Sequence, residues 1–228
     1  MDKWTVFAYL IFPYLALTIF AVGHAYRHFT DPFTWNPRSS ELLEKQSLKY
    51  GIYLFHWGMI LVLIGHAGGL LIPETMYDAV GISGEAHARL AIFLGIFFGL
   101  IALPGILLLL WRRATKNRIL AVTSINDFAT SILLLFVIAS GTYNVFFGHY
   151  YFLDTVAPWI RGIVTFAPEP QLMEEVPFSY KIHILGAFVL FAFSPFTRLV
   201  HIWSVPLGYM FRSYILFRSH KVNIPSEF

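Results

Sequence analysis

Four histidines of this chain fall inside apolar stretches, and they fall there in two pairs. His56 and His66 share one stretch; His183 and His201 share another. An imidazole inside a bilayer is costly, and where one occurs it usually has a function. Two pairs on two segments can clamp two metal centres between two helices. Haem iron takes two axial ligands, and histidine is a common one. The pattern therefore points to a membrane cytochrome b with two haems. One intramembrane histidine is explained as easily by an interhelical hydrogen bond. Four in complementary positions on antiparallel segments are harder to explain that way.

The elements that must carry these residues are legible in the composition. Of 228 residues 57% are hydrophobic and 13% charged, against about 25% charged in a soluble domain. That is an integral membrane protein. With no cysteine, disulfides, cysteine-ligated iron-sulfur clusters and thiolate haem ligation are excluded within this chain. The basic balance does not indicate nucleic acid, because Lys and Arg gather at segment ends. Five stretches approach the ~20 apolar residues that a span needs: Trp4 to Ala25, Tyr50 to Ile72, Leu90 to Trp111, Phe128 to Phe147, and Tyr180 to about Val200. Pro13 interrupts the first, which reads as a retained helix with no cleavage signal after it.

Charge orients the spans. Twelve of the 16 Lys and Arg residues lie in the connections after spans one, three and five, and four lie on the other side. The positive-inside rule then puts the N-terminus outside and the C-terminus in the cytoplasm. With that topology His66 pairs with His183 near the outer face, and His56 with His201 near the inner face. Ten residues of helix separate His56 from His66, a rise of about 15 Å, whereas eighteen separate His183 from His201, a rise of about 27 Å if the helix is straight. The helices must tilt, or span five must deviate, and Pro195 can kink it. On a straight helix, His183 and His201 would share one face.

The remaining histidines divide by position. His24 and His28 read as interfacial at the inner end of span one. His149 and His220 lie in connections and carry no assigned role. His87 lies beside Arg89 in the acidic outer loop, near the outer pair by topology. Gly65, Gly58 and Gly186 flank the paired histidines. Small residues there allow a flat macrocycle to approach the backbone, or simply close helix packing. Arg198 lies one turn before His201 and is a candidate partner for a haem propionate; Arg112 and Arg113 also sit on that side. The loop from Gly148 to Ser179 has room for a short helix around Asp154 to Phe166. Residues 1–228 read as one membrane domain with a cytoplasmic tail from about 202 to 228. That tail combines aromatic and basic residues, a composition suited to docking a partner.

The stretch Phe196-Thr197-Arg198-Leu199-Val200-His201-Ile202-Trp203-Ser204-Val205-Pro206 resembles the end of the last span in the gamma subunit of respiratory nitrate reductase. So do Leu54-Phe55-His56-Trp57-Gly58 through Gly65-His66, and Thr34-Trp35 followed by Ser39-Ser40. The likeness covers nearly the whole chain and is weakest between Gly148 and Ser179. It implies an all-α membrane protein of five transmembrane helices in the prokaryotic cell (inner) membrane, with two b haems held between helices 2 and 5. It implies oxidation of a quinol, menaquinol or ubiquinol, near the outer haem. Electrons would pass inward to an iron-sulfur beta subunit and a molybdenum-containing alpha subunit in the cytoplasm. Carried over, His66 and His183 ligate the outer haem, His56 and His201 the inner one, and the quinol site involves Gly65, His66 and the following loop. Where family members have a lysine in that loop, this chain has His87, with Arg89 two residues on. A dihaem subunit of another quinone-linked complex, such as a hydrogenase, formate dehydrogenase or heterodisulfide reductase, and a non-redox membrane anchor are the competing classes.

Overall fold

The computed structural model describes residues 2–35, 40, 42–148 and 150–203. His149, His220, Arg38, Ser39 and the tail from Ser204 onward, including the expected docking segment, lie outside the described residues. Five helices are long and apolar enough to cross a membrane: Lys3–Thr30, Gln46–Leu71, Gly84–Thr115, Ile125–Gly148 and Phe178–Phe196. These are spans 1 to 5 below. They match the five stretches expected from hydropathy, and the chain is a multi-pass membrane protein. Span 3 begins six residues earlier than the apolar run suggested. Ser83 caps it by accepting from the Ala86 amide at 3.3 Å. His87 and Arg89 therefore belong to the first turns of a helix, not to a loop.

Spans 2 and 3 pack most closely, and glycine sets the distance. A β-carbon on Gly58 would stand 2.6 Å from the Ala102 nitrogen, and one on Gly105 would overlap the backbone of Phe55. With little hydrophobic drive between helices in lipid, such close backbone approach supplies the packing energy. Span 5 packs on spans 1 and 4, with Gly186 against Phe136. Gly58 and Gly186 thus serve helix packing. Gly65 is different, with nothing within 4 Å of its β-carbon position.

At two prolines the helix becomes irregular, and other elements satisfy carbonyls left without a helical partner there. Pro13 has no N–H for the carbonyl of Tyr9. The helix adjusts through a π turn, Phe7–Ile11, and the buried indole of Trp159 donates to Tyr9 O at 2.9 Å. Trp159 belongs to the short helix Val156–Val164, within the segment where one was expected. With Met173, Ile184 and Phe188 it forms the largest apolar cluster. At the other proline, span 5 stops being α-helical after Phe193. It continues as one 3-10 turn, Ser194–Phe196, then extended Thr197, then a second 3-10 segment, Arg198–Trp203. Arg27 donates to Pro195 O at 2.7 Å and Thr197 O at 2.8 Å, and Asn126 to Phe196 O at 2.6 Å. The deviation required by the unequal histidine spacings is this break, so His183 and His201 do not share one face of a straight helix.

Charges cluster at one end of the bundle, here the basic end. Asp127 joins Ser124 in a capping box at the start of span 4. Its carboxylate also meets Arg198 at 2.6 Å and Arg113 at 3.4 Å. Arg112 is buried and donates to Glu44 Oε2 at 2.6 Å, to Glu44 O and to Ser40. The Ser47 hydroxyl first, and then Arg112, hold the Glu44 carboxyl down to about 2. The stabilisation from this depressed group is fully present above the ordinary glutamate value of about 4.3 and is lost as pH falls through about 2.

Three substitutions test this framework. Gly105→Leu forces a side chain into the Phe55 backbone and should cost about 1–3 kcal/mol, read as earlier thermal unfolding in detergent; Gly65→Ala should leave unfolding unchanged. Asp127→Ala leaves two guanidinium groups facing each other without their carboxylate and should cost about 3 kcal/mol by denaturant titration. An Asp127→Ala protein as stable as its parent would show that the cluster does not support the basic end.

Candidate functional site

Spans 2 and 5 each pack on other spans and make no extensive contact with one another. Between them lies a slot, and the histidine rings face each other across it. His66 and His183 have ring centroids 6.1 Å apart, as do His56 and His201. A metal–imidazole nitrogen bond is about 2 Å long, so with the ring radii added, two imidazoles trans across one metal have centroids about 6 Å apart. Both pairs stand at that separation.

The tautomers agree. Each ring places Nδ1 against a backbone carbonyl, which can only accept: His56 on Ile52 O at 3.0 Å, His66 on Val62 O at 2.8 Å, His183 on Val137 O at 3.1 Å and His201 on Arg198 O at 2.5 Å. Nδ1 is therefore the protonated nitrogen, and Nε2 carries the lone pair available to a metal. The two histidines of span 2 reach the carbonyl four residues back on their own helix. His183 instead reaches across to span 4, where the Ser140 hydroxyl also lies 3.1 Å from its Nδ1. Gly141 makes room for it, since a β-carbon there would stand 2.8 Å from Cε1 of His183. Two protein donors leave a metal's remaining positions to be filled from elsewhere, and a macrocycle that brings four nitrogens does so. The slot, the spacing and the tautomers all fit haem.

Arg198 has its guanidinium on Asp127 Oδ1, at 2.9 Å through Nε and 2.6 Å through Nη2. That contact fixes the backbone whose carbonyl orients His201. Arg112 and Arg113 face Glu44 and Asp127. His24, read from the sequence as interfacial, is buried against Phe20, Trp35 and Trp203.

At the end opposite the basic cluster, a π turn, Ala67–Leu71, follows His66 directly. π turns often mark functional positions. Here it brings Gly69 up to His87, whose Nε2 lies 3.8 Å from the β-carbon position of Gly69. His87 is only 5% exposed, with its ring tilted by 35° against that of Tyr77 at a centroid distance of 3.9 Å. Tyr77 in turn donates to Gly68 O at 3.0 Å. Arg89 behaves differently: its side chain is 76% exposed and pairs with Glu85. Of the residues expected at this site, the structure brings Gly65, His66 and His87 to one end of the slot and turns Arg89 outward. Sequence reasoning missed Tyr77, Ser140 and Asp127. None carries a motif of its own, and the capping pattern from Ser124 to Asp127 was the one signal available.

Comparison with known proteins gives a consistent result. Residues 5–220 match the family model described as nitrate reductase gamma subunit. The nitrate reductase gamma chain of Bacillus subtilis is 45% identical over 91% of this chain and 95% of its own length. The respiratory nitrate reductase 2 gamma chain of Escherichia coli is 33% identical over 95% of this chain and 97% of its own. A nitrate reductase-like protein of Mycobacterium tuberculosis is 38% identical over 96% of this chain, which spans 34% of that longer protein.

Proposed function

The chain belongs to the nitrate reductase gamma subunit family, and from that premise we propose that it is the dihaem cytochrome b that oxidises quinol and passes the electrons to the complex's soluble subunits. The observation that carries the reading is the matched pair of 6.1 Å imidazole separations across the slot between spans 2 and 5. His66 and His183 hold one haem b, and His56 and His201 the other. When bound, the haems supply one-electron redox chemistry at two levels of the bundle.

The chain's own residues do the rest. The backbone carbonyls on Nδ1 fix each ring and raise the basicity of Nε2. Gly65, beside open space, leaves room for a quinol head group next to His66. His87 faces the same region, and a neutral imidazole there can accept a hydroxyl proton. Arg89, exposed and paired with Glu85, contributes to the electrostatics of that end more than to contact. By the positive-inside rule the basic end is cytoplasmic, so quinol protons leave outside while electrons move inward. The iron-sulfur beta subunit and the molybdenum-containing alpha subunit dock at the basic end, with the Thr34 to Lys49 connection and the tail beyond His201 as the contact surface.

Reduced-minus-oxidised absorption of the purified chain should show b-type bands. His66→Ala and His183→Ala should each remove the same haem and leave the other, resolved by redox titration, whereas His56→Ala and His201→Ala should each remove the second. Gly141→Leu should behave like His183→Ala, because it displaces that ring. Loss of the same centre from His56→Ala and His183→Ala would overturn the pairing.

A further inference from the structure

Glu74 opens the short helix Glu74–Ala79. Its carboxylate lies against the first turn of span 3. A β-carbon on Gly84 would overlap Glu74 Oε1 and would stand 2.7 Å from the Tyr151 hydroxyl. His87 is three residues on, on the same face of that helix, and Glu74 is the carboxylate whose charge acts on its ring. His87 Nδ1 is buried with no hydrogen-bond partner among the described residues, while Nε2 is the nitrogen turned toward Gly69.

This placement poses an electrostatic problem. A buried imidazole takes up a proton only at a cost unless a counter-charge is near. The first turn of a helix adds to the cost, because the positive end of the helix dipole lies there. The surrounding charges differ in what they can offer. Glu85, on the same helix, is 74% exposed and bound to Arg89. Asp78 and Asp154 act, with Glu74 and Glu85, on Tyr151. Tyr77, whose ring lies against that of His87, has its hydroxyl committed to Gly68 O, and the remaining elements offer Arg161, which donates to Leu70 O at 3.4 Å, and His66, three residues before Gly69. Glu74 is the anion that reaches the helix start beside His87.

We propose that Glu74 is a positioning residue for proton transfer: its carboxylate is the counter-charge that lets His87 take a proton from the quinol hydroxyl, and the missing side chain of Gly84 admits it. The proposal rests on the reading that quinol is oxidised beside His66. Oxidation of one quinol to quinone releases two electrons and two hydroxyl protons; a haem held by His66 and His183 would supply the one-electron acceptor. Each proton passes to His87 Nε2, and the imidazolium returns to neutrality by releasing a proton to water at this end before the next transfer. Glu74 is not consumed.

The test uses the assembled complex in membrane vesicles, with quinol-driven haem reduction followed against pH and dithionite-reducible haem as the control. Glu74→Gln should keep both haems, slow reduction about tenfold near neutral pH, and move the acid limb of the profile down by about one unit. The titration midpoint of His87, read by ring-nitrogen resonance, should fall by about the same amount. Glu74→Asp should restore part of both effects. Gly84→Val should reproduce Glu74→Gln although the carboxylate is still in the chain, because it is pushed away. If His87→Ala slows reduction but Glu74→Gln leaves the rate, the acid limb and the titration at their original values, or slows the rate without moving either, the role of Glu74 is overturned and the quinol site stands. If His87→Ala has no effect, the quinol reading beside His66 fails and this role with it.

Discussion

The constraint on which the rest depends is the commitment of every paired imidazole to a backbone carbonyl through Nδ1. An imidazole has two nitrogens, and fixing the proton on one assigns the lone pair to the other. Because all four rings are fixed in the same sense, each presents the same atom for coordination, and the ring cannot turn without breaking a hydrogen bond in a medium that offers no replacement. A pair of such rings 6.1 Å apart has the spacing that the proposed two-ligand clamp requires. The carbonyls that orient them come from three kinds of place: the histidine's own helix for His56 and His66, the neighbouring span for His183, and the 3-10 segment after the break for His201.

Holding two helices apart at a constant distance is a packing problem, and the bundle solves it outside the slot. Span 2 is fastened to span 3 through Gly58 and Gly105, while span 5 is fastened to spans 1 and 4 through Gly23, Gly141 and Gly186. Neither histidine helix depends on the other for its position. Each wall of the slot is thus held by its own neighbours, and Gly65, next to His66, has nothing within 4 Å of its β-carbon position. The basic end is tied separately by Asp127, which bonds the side chain of Arg198 while the carbonyl of the same residue orients His201. A capping box, an ion pair and a proposed haem ligand are thus linked through one carboxylate.

The two prolines illustrate how irregular backbone is tolerated at membrane depth. At each, irregular backbone leaves carbonyls that lipid cannot satisfy. Trp159 answers the carbonyl left by Pro13 and docks the short helix Val156–Val164 in doing so. Arg27 answers those around Pro195 and joins span 1 to the end of span 5. Those carbonyls become tertiary contacts, and the second set lets span 5 turn so that His201 meets His56 despite unequal spacing along the two helices.

The class and the skeleton were legible in the residues alone. Long apolar runs can be satisfied in lipid only as helices, so five spans were legible to within a few residues, and the count and alternation of histidines on spans two and five gave the pairs. The likeness to the nitrate reductase gamma family was also readable there, from the runs around His56 and His201. How residues distant in the chain share space emerged with the packed bundle. The burial of His87 could not be read from an acidic, apparently solvated segment, because it depends on where the cap at Ser83 starts span 3 and on a π turn that carries Gly69 toward it. The tie of Arg198 to Asp127 could not be read either, since any of several carboxylates satisfies a guanidinium by type and only the fold selects one. Hydropathy and periodicity report the interaction of each residue with its solvent, which is local. Ring spacing, hydrogen-bond partner and counter-charge are relations between elements, and they exist only once the helices are packed.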